Sequence, residues 1–243
     1  MSSNGTESPT NDPRTPAGLI EAQASVGRSI LHRHGRRLLA AFVCIVLPLW
    51  GFGELAEDVA DGEPFGFDEP LLQAMRAFES PAADSVFLLL SSIGYSGGVV
   101  PADILLVLML VLRRHPRSAV FAAVALGGSA LLNVAAKHVM QRDRPALWES
   151  IAPETTYSFP SGHAMGSATL ACVLACLAWN TRWRWPVIVL GALFTLGVGL
   201  SRVYLGVHYP SDVLAGWAAA IAWTVGVRLI AFRRGLVTGS TQA

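Results

Sequence analysis

The sequence predicts an all-α fold, a multi-pass transmembrane helical bundle with six spanning helices, on three observations. Hydrophobic residues make up 52% of the chain and charged residues only 14%, with a mean hydropathy of +0.46. The apolar residues are gathered in long runs, and about 20 apolar residues are enough to cross a bilayer as a helix. Arginine clusters recur between alternate runs, as the positive-inside rule expects of connections on one side of a membrane.

The chain is interpreted as one membrane domain, residues 31–234, between two polar tails. Residues 1–30 are rich in Ser, Thr, Pro and Gly and predict a disordered N-terminal tail, and residues 235–243 form a short C-terminal tail. The formal net charge is only +1, so the sequence offers no strongly basic surface for nucleic acid. The expected surroundings are therefore a lipid bilayer.

Apolar runs predict the spanning helices at residues 38–55, 86–112, 118–139, 161–179, 185–205 and 210–232. A patch rich in Ser and Gly at residues 91–98 favours a break or close helix packing inside the second run. Asp103 lies in the same run, and its role stays open. Residues 70–79 are typical of a short amphipathic helix at the membrane interface.

Basic clusters set the predicted orientation. They lie at residues 28–37, 113–117, 182–184 and 233–234. Six spans with both termini in the cytoplasm place all four clusters on the inner side. The other connections then face outside, at residues 54–84, 140–160 and 203–210. We predict a multi-pass plasma membrane protein, in a bacterial inner membrane, with its functional residues facing outside.

The stretch Ser201–Asp212 places charge in an apolar region, where ionisable residues are costly and indicate function. Pro210 predicts that a helix begins just after His208, because proline suits a first turn. Asp212 follows His208 by four residues, which brings its carboxylate near the imidazole. Such a pair fixes the tautomer and makes the free ring nitrogen a better nucleophile or base. Arg202 adds a guanidinium, the preferred planar partner of phosphate.

Two further polar stretches are predicted on the same outer face, one holding Lys137 and Arg144 and the other opening the fourth span at Ser161, Gly162 and His163. Cations together with backbone N–H groups at a helix N-terminus suit a phosphoryl group. Alone, Lys137 could snorkel at a helix end and His163 could cap a helix. Together these residues predict a phosphate site, although they leave open which histidine attacks and which donates a proton.

Three motifs, in this order and spacing, resemble the signature of the type 2 phosphatidic acid phosphatase superfamily: K-x6-R-P over 137–145, P-S-G-H over 160–163 and S-R-x5-H-x3-D over 201–212. The resemblance implies the helical core shared with acid phosphatases and vanadium haloperoxidases. It implies that His208 is the nucleophile, Asp212 its orienting partner and His163 the general acid. It implies a phosphate cradle without metal or other cofactor, made of Lys137, Arg144, Ser161, Gly162 and Arg202.

We therefore expect an integral-membrane phosphatase that hydrolyses a phosphomonoester or diphosphate of a lipid through a phosphohistidine. Two alternatives stay open: a lipid phosphotransferase with the same intermediate, and a non-catalytic lipid-phosphate binder or transporter. The sequence leaves the lipid open among undecaprenyl diphosphate, phosphatidylglycerophosphate and phosphatidic acid. It also leaves the oligomeric state open.

Overall fold

The structure is a computed structural model that describes residues 42–231, together with Gly35 and Leu39. Within these residues it consists of helices and connecting loops without a strand, so the all-α prediction is confirmed. The chain divides between residues 43 and 44, and the α-helices described below lie after that boundary. Both predicted tails and the arginines of the first and last basic clusters lie outside the described residues.

The described part of the chain forms eight α-helices, the first preceded by a π-helical turn at Phe42–Val46. They are α1 (Leu47–Asp61), α2 (Asp68–Arg76), α3 (Pro81–Ile93), α4 (Val99–Leu112), α5 (Pro116–Met140), α6 (Gly162–Ala178), α7 (Arg184–Tyr204) and α8 (Pro210–Ala231). Helices α3, α5 and α8 begin on a proline, whose fixed φ suits a first turn. The short helix predicted at residues 70–79 is present as α2, which begins two residues earlier.

Within the described residues, three helices are long and apolar enough to cross a bilayer, namely α5, α7 and α8. Helices α3, α4 and α6 are apolar but shorter, with 13, 14 and 17 residues. The predicted run 86–112 is interrupted between Ile93 and Val99, where Gly98 lies against the backbone of Ile93 so closely that a Cβ would collide with it. Six spanning helices therefore remain a prediction.

Helix α6 is central, because it packs on α5, α7 and α8. Small residues allow these approaches: a Cβ on Gly216 of α8 would lie 2.8 Å from the carbonyl oxygen of Ser161, so only glycine fits there. Ser129 and Thr169 share a buried hydrogen bond of 2.8 Å between α5 and α6. Asn133 of α5 donates to the carbonyl of Pro160 at 3.1 Å. These contacts bring the end of α5 and the starts of α6 and α8 together at one end of the bundle.

Candidate active site

His208 lies in the loop between α7 and α8, and α8 begins at Pro210 as predicted. The Oδ2 atom of Asp212 lies 3.4 Å from Nδ1 of His208, and both residues are fully buried. The same oxygen accepts hydrogen bonds from Ser158 Oγ at 2.5 Å and from the amide of Tyr209 at 2.9 Å. A carboxylate facing Nδ1 favours the tautomer with the proton on that nitrogen, which leaves Nε2 as the basic atom.

Burial is the main cause that lowers the pKa of His208, and the positive charges of Arg144 and Arg202 also lower it; against the opposing effect of Asp212, the pKa falls to about 4. The imidazole is therefore neutral near pH 7, which is the form that can attack an electrophile. Its Nε2 atom lies 3.1 Å from Nη1 of Arg144, so the basic nitrogen accepts a hydrogen bond from that guanidinium.

Lys137 and Arg144, the two ends of the first motif, meet at the backbone of residues 156–157. The guanidinium of Arg144 donates to the carbonyl of Thr156 at 2.6 Å and to the carbonyl of Val207 at 2.6 Å. The ammonium of Lys137 donates to Thr156 Oγ1 at 3.3 Å and also to the carbonyl of Tyr157. The fold thus brings the two predicted cations together, and each is bonded to acceptors of the protein itself.

Arg202 is fully buried at the end of α7. Its Nη1 atom donates to Ser91 Oγ of α3, and its Nη2 atom forms an ion pair with Glu154. A buried guanidinium is strongly unfavourable without a counter-charge. Glu154 therefore supplies the counter-charge of Arg202.

Glu154 lies where the predicted site residues converge. Its Oε2 atom is 2.7 Å from Nη2 of Arg144 and 3.9 Å from Nε2 of His208, and its Oε1 atom contacts Arg202 and lies 3.7 Å from Nδ1 of His163. Burial alone would raise its pKa, but Arg202, His208 and Arg144 together hold the pKa of Glu154 below its ordinary value. The sequence analysis did not predict this residue. The one feature of the sequence that could have pointed to it is an acidic side chain in the loop between the first and second motifs.

The N-terminus of α6 differs in part from its prediction. Ser161 caps the helix through its Oγ atom, but its amide donates to the carbonyl of Asp212 at 3.0 Å, so that amide is not available to a phosphate as expected. The amides of Gly162 and His163 have no acceptor in the described part of the chain, as is usual for a first turn. The ring of His163 stacks on Tyr95 with centroids 4.8 Å apart.

A second hydrogen-bond network holds Asp212 on the side away from His208, and sequence reasoning did not predict it. Nη1 of Arg142 donates to Asp212 Oδ1 at 2.6 Å and to Ser211 Oγ at 2.8 Å, and Nη2 donates to Asp68 of α2 at 3.0 Å. The amide of Ser211 donates to Asp68 at 2.9 Å. The guanidinium of Arg142 also lies 4.1 Å from the centre of the Tyr209 ring. Both oxygens of Asp212 are thus fixed, which leaves its carboxylate one orientation toward His208.

Asp103 is not part of this cluster. It lies in α4, and its Oδ1 atom is buried without a hydrogen-bond partner among residues 42–231. The same described residues contain no group of three or more His, Cys, Asp or Glu side chains placed to hold a metal ion. Arg144, Arg202, His163 and His208 gather at one end of the bundle, around the carboxylate of Glu154.

Comparison with known proteins assigns the family. The model of the PAP2 superfamily matches residues 118–236. The undecaprenyl-diphosphatase of Sulfolobus acidocaldarius is 31% identical over 157 residues, covering 63% of this chain and 72% of that protein. The chain belongs to the PAP2 superfamily. The predicted resemblance is thereby confirmed, and the matched segment contains all three motifs.

Two further PAP2 proteins agree with this assignment. Phosphatidylglycerophosphatase B of Bacillus subtilis is 28% identical over 159 residues, covering 63% of this chain and 78% of that protein. The crystal structure of a transmembrane PAP2-type phosphatidylglycerolphosphate phosphatase from Bacillus subtilis matches the fold with a TM-score of 0.69 at 24% identity, over 80% of this chain and 98% of that one. The names of these relatives confirm the prediction of a lipid phosphatase.

Proposed function

We propose that this protein hydrolyses a phosphomonoester or diphosphate of a membrane lipid through a phosphohistidine on His208, without a metal ion. The observation that carries the proposal is the convergence of Lys137, Arg144, Arg202 and both histidines on the loop segment that holds the Glu154 carboxylate. Cations and a helix N-terminus directed at one anion position suit the charged oxygens of a transferring phosphoryl group.

The reaction has two steps. In the first, Nε2 of His208 attacks the terminal phosphorus, and the bond from phosphorus to the leaving oxygen breaks; this is the lipid alcohol oxygen in a monoester and the bridging oxygen in a diphosphate. His163 gives its proton to that leaving oxygen. In the second, His163 takes a proton from water as the water oxygen attacks phosphorus, and the bond to His208 breaks to release phosphate. Asp212 stabilises the positive charge that develops on His208 in the first step.

The positive charge of the cradle takes the part that a metal ion plays in other phosphatases. Arg202 and Arg144 are held within hydrogen-bond reach of the anion position that Glu154 marks. The amides of Gly162 and His163 add the dipole of α6.

An apolar cavity of about 890 Å³ supports a lipid substrate. Its lining comes from α1, α5, α6, α8 and the loop before α6, and includes Phe52, Val124 and Pro160. Pro160, the residue before Ser161, is one of the residues that line this cavity. The names of the relatives, undecaprenyl-diphosphatase and phosphatidylglycerophosphatase B, favour undecaprenyl diphosphate and phosphatidylglycerophosphate as the first substrates to test.

The site faces outside in this proposal, because arginines gather at the opposite end of the bundle. Helix α5 runs from the basic connection 113–117 to the site, and α6 runs from the site to the basic connection 182–184. The positive-inside rule places such connections in the cytoplasm. Reporter fusions at residues 115 and 183 should give cytoplasmic signals, and an outside signal at either position would contradict the orientation.

The proposed function is tested by a panel of lipid phosphates offered to the purified protein in detergent with excess EDTA. We expect full phosphate release in EDTA and none from the His208→Ala variant. Loss of activity on chelation that magnesium restores would contradict a cradle of side chains alone. An added acceptor alcohol tests the phosphotransferase alternative, which requires a phosphorylated alcohol to form in place of inorganic phosphate.

A further inference from the structure

All three cations of the proposed cradle are bonded to one short segment of the chain, Glu154–Tyr157, named here the ETTY segment after its sequence. Arg202 pairs with the carboxylate of Glu154. Arg144 donates to that carboxylate at 2.7 Å and to Thr156 Oγ1 at 2.9 Å, and Lys137 donates to the carbonyl of Tyr157. The protein itself thus supplies an anion and carbonyl oxygens to the groups proposed to bind phosphate.

The loop is anchored on both sides of the ETTY segment. Before it, Ser150 Oγ donates to the carbonyl of Leu205 at 2.6 Å, and Ala152 packs against Leu205 and its neighbours. After it, the buried Ser158 donates through its amide to the carbonyl of Arg142 at 2.9 Å. Residues 155–157 between these anchors are exposed at the surface. None of these three residues belongs to an apolar cluster of the described residues, so displacement of the segment would leave the apolar core closed.

We infer that Glu154 is a specificity-determining residue, a carboxylate that occupies the phosphate position until a more highly charged group displaces it. This inference rests on the phosphate site of the proposed function. A phosphoryl group cannot share that position with Glu154, because two anions bonded to the same guanidinium groups repel each other at short range.

The charge of the ligand then decides whether it enters. A terminal phosphate carries a charge between about −1.5 and −2 at pH 7, so it can exceed what the carboxylate offers to the cradle. A phosphodiester carries a single negative charge, the same as the Glu154 carboxylate. It therefore cannot displace that carboxylate, which is already held next to the cations by the chain. Glu154 thus keeps the phosphodiester headgroups of the surrounding bilayer out of a strongly cationic site.

The experiment compares the full-length wild type with the Glu154→Gln variant, purified in detergent at pH 8, with inorganic phosphate and dimethyl phosphate as probes. Binding is measured from the shift of the thermal unfolding midpoint with probe concentration, which needs no turnover. We expect inorganic phosphate to stabilise the wild type and dimethyl phosphate not to stabilise it. In Glu154→Gln we expect phosphate to bind on the order of tenfold more tightly, because the competing state is removed, and dimethyl phosphate to bind as well.

Glu149→Gln is the matched control, since it removes the same charge from an exposed residue of the same loop, and it should bind both probes as the wild type does. If loss of the counter-charge to Arg202 prevents Glu154→Gln from folding, Glu154→Asp decides instead. It keeps the charge but withdraws the carboxylate by one methylene, so phosphate affinity should rise by a smaller factor than tenfold.

Phosphate affinity that stays at or below the wild-type value in the folded Glu154 variant would overturn the inference. The inference would also be overturned if dimethyl phosphate bound the wild type as tightly as it binds this variant. These results leave the proposed function standing if the wild type still hydrolyses lipid phosphates. A wild type that neither binds phosphate nor releases it from lipids would refute the proposed function and the inference together.

Discussion

Two sides of the same site are held in different ways, although His208 Nε2 and Glu154 Oε2 lie only 3.9 Å apart. On the first side, His208 and Asp212 are fully buried, and both oxygens of Asp212 are fixed by Arg142, Ser158 and the Tyr209 amide. On the other side, the Glu154 side chain keeps 25% of its surface exposed and is held by ion pairs to the cradle.

In the proposed mechanism, this difference separates the groups that are oriented before the substrate arrives from the Glu154 carboxylate, which the substrate displaces. A nucleophile benefits from neighbours that fix its orientation before the substrate arrives. A group that occupies the substrate position must instead leave at low cost, and a surface segment with few buried contacts opens more readily than a core element. Substitutions on the His208 side should therefore lower the rate of chemistry, whereas those on the Glu154 side should change binding.

The largest effect is expected for His208→Ala. Loss of the nucleophile should reduce turnover by roughly 10⁴-fold or more and should abolish the acid-labile phosphoprotein that rapid quench traps in the wild type. His115→Ala, which changes an exposed histidine at the far end of α5, is the control and should leave both unchanged. Label trapped on the protein after His208 is replaced would reverse the roles of the two histidines.

His163→Ala should have the next largest effect, and its size should depend on the leaving group. General acid catalysis is worth about 10²–10⁴-fold, so kcat/KM should fall by that factor for a lipid alkoxide, which leaves poorly without a proton. It should fall much less for an aryl phosphate of low leaving-group pKa. The measurement is the ratio of kcat/KM for the two substrates in variant and wild type. Equal losses would argue that His163 positions phosphate and does not donate a proton.

A smaller effect is expected for Arg142→Lys, which tests the network behind Asp212. A lysine cannot reproduce the two-pronged contact with Asp68 and Asp212, and a hydrogen bond to a charged group is worth about 1.5–3 kcal/mol. We expect kcat to fall by about tenfold or somewhat more, with KM nearly unchanged because the cradle is intact. Asp143→Asn, at the exposed neighbouring position, is the control. A change in KM alone would place Arg142 in substrate binding.

The sequence by itself determined the local features of the site. The start of α8 at Pro210 and the proximity of His208 to Asp212 follow from proline geometry and a four-residue spacing, and the structure agrees with both. The start of α6 also agrees with the predicted opening of the fourth span at Ser161, Gly162 and His163. These predictions succeed because the groups are close along the chain, where backbone geometry fixes their separation.

Tertiary structure decided which partners these groups meet. Arg142 reaches Asp212 across 70 residues and Arg202 reaches Glu154 across 48, and no spacing rule encodes either contact. The use of the Ser161 amide by Asp212 likewise depends on how closely neighbouring backbones approach. The order of polar and apolar segments predicts which polar residues lie at the same end of the bundle. Which charges pair there depends on the path that the loop between α5 and α6 takes. That path is fixed by buried charges that must find a counter-charge once water is excluded.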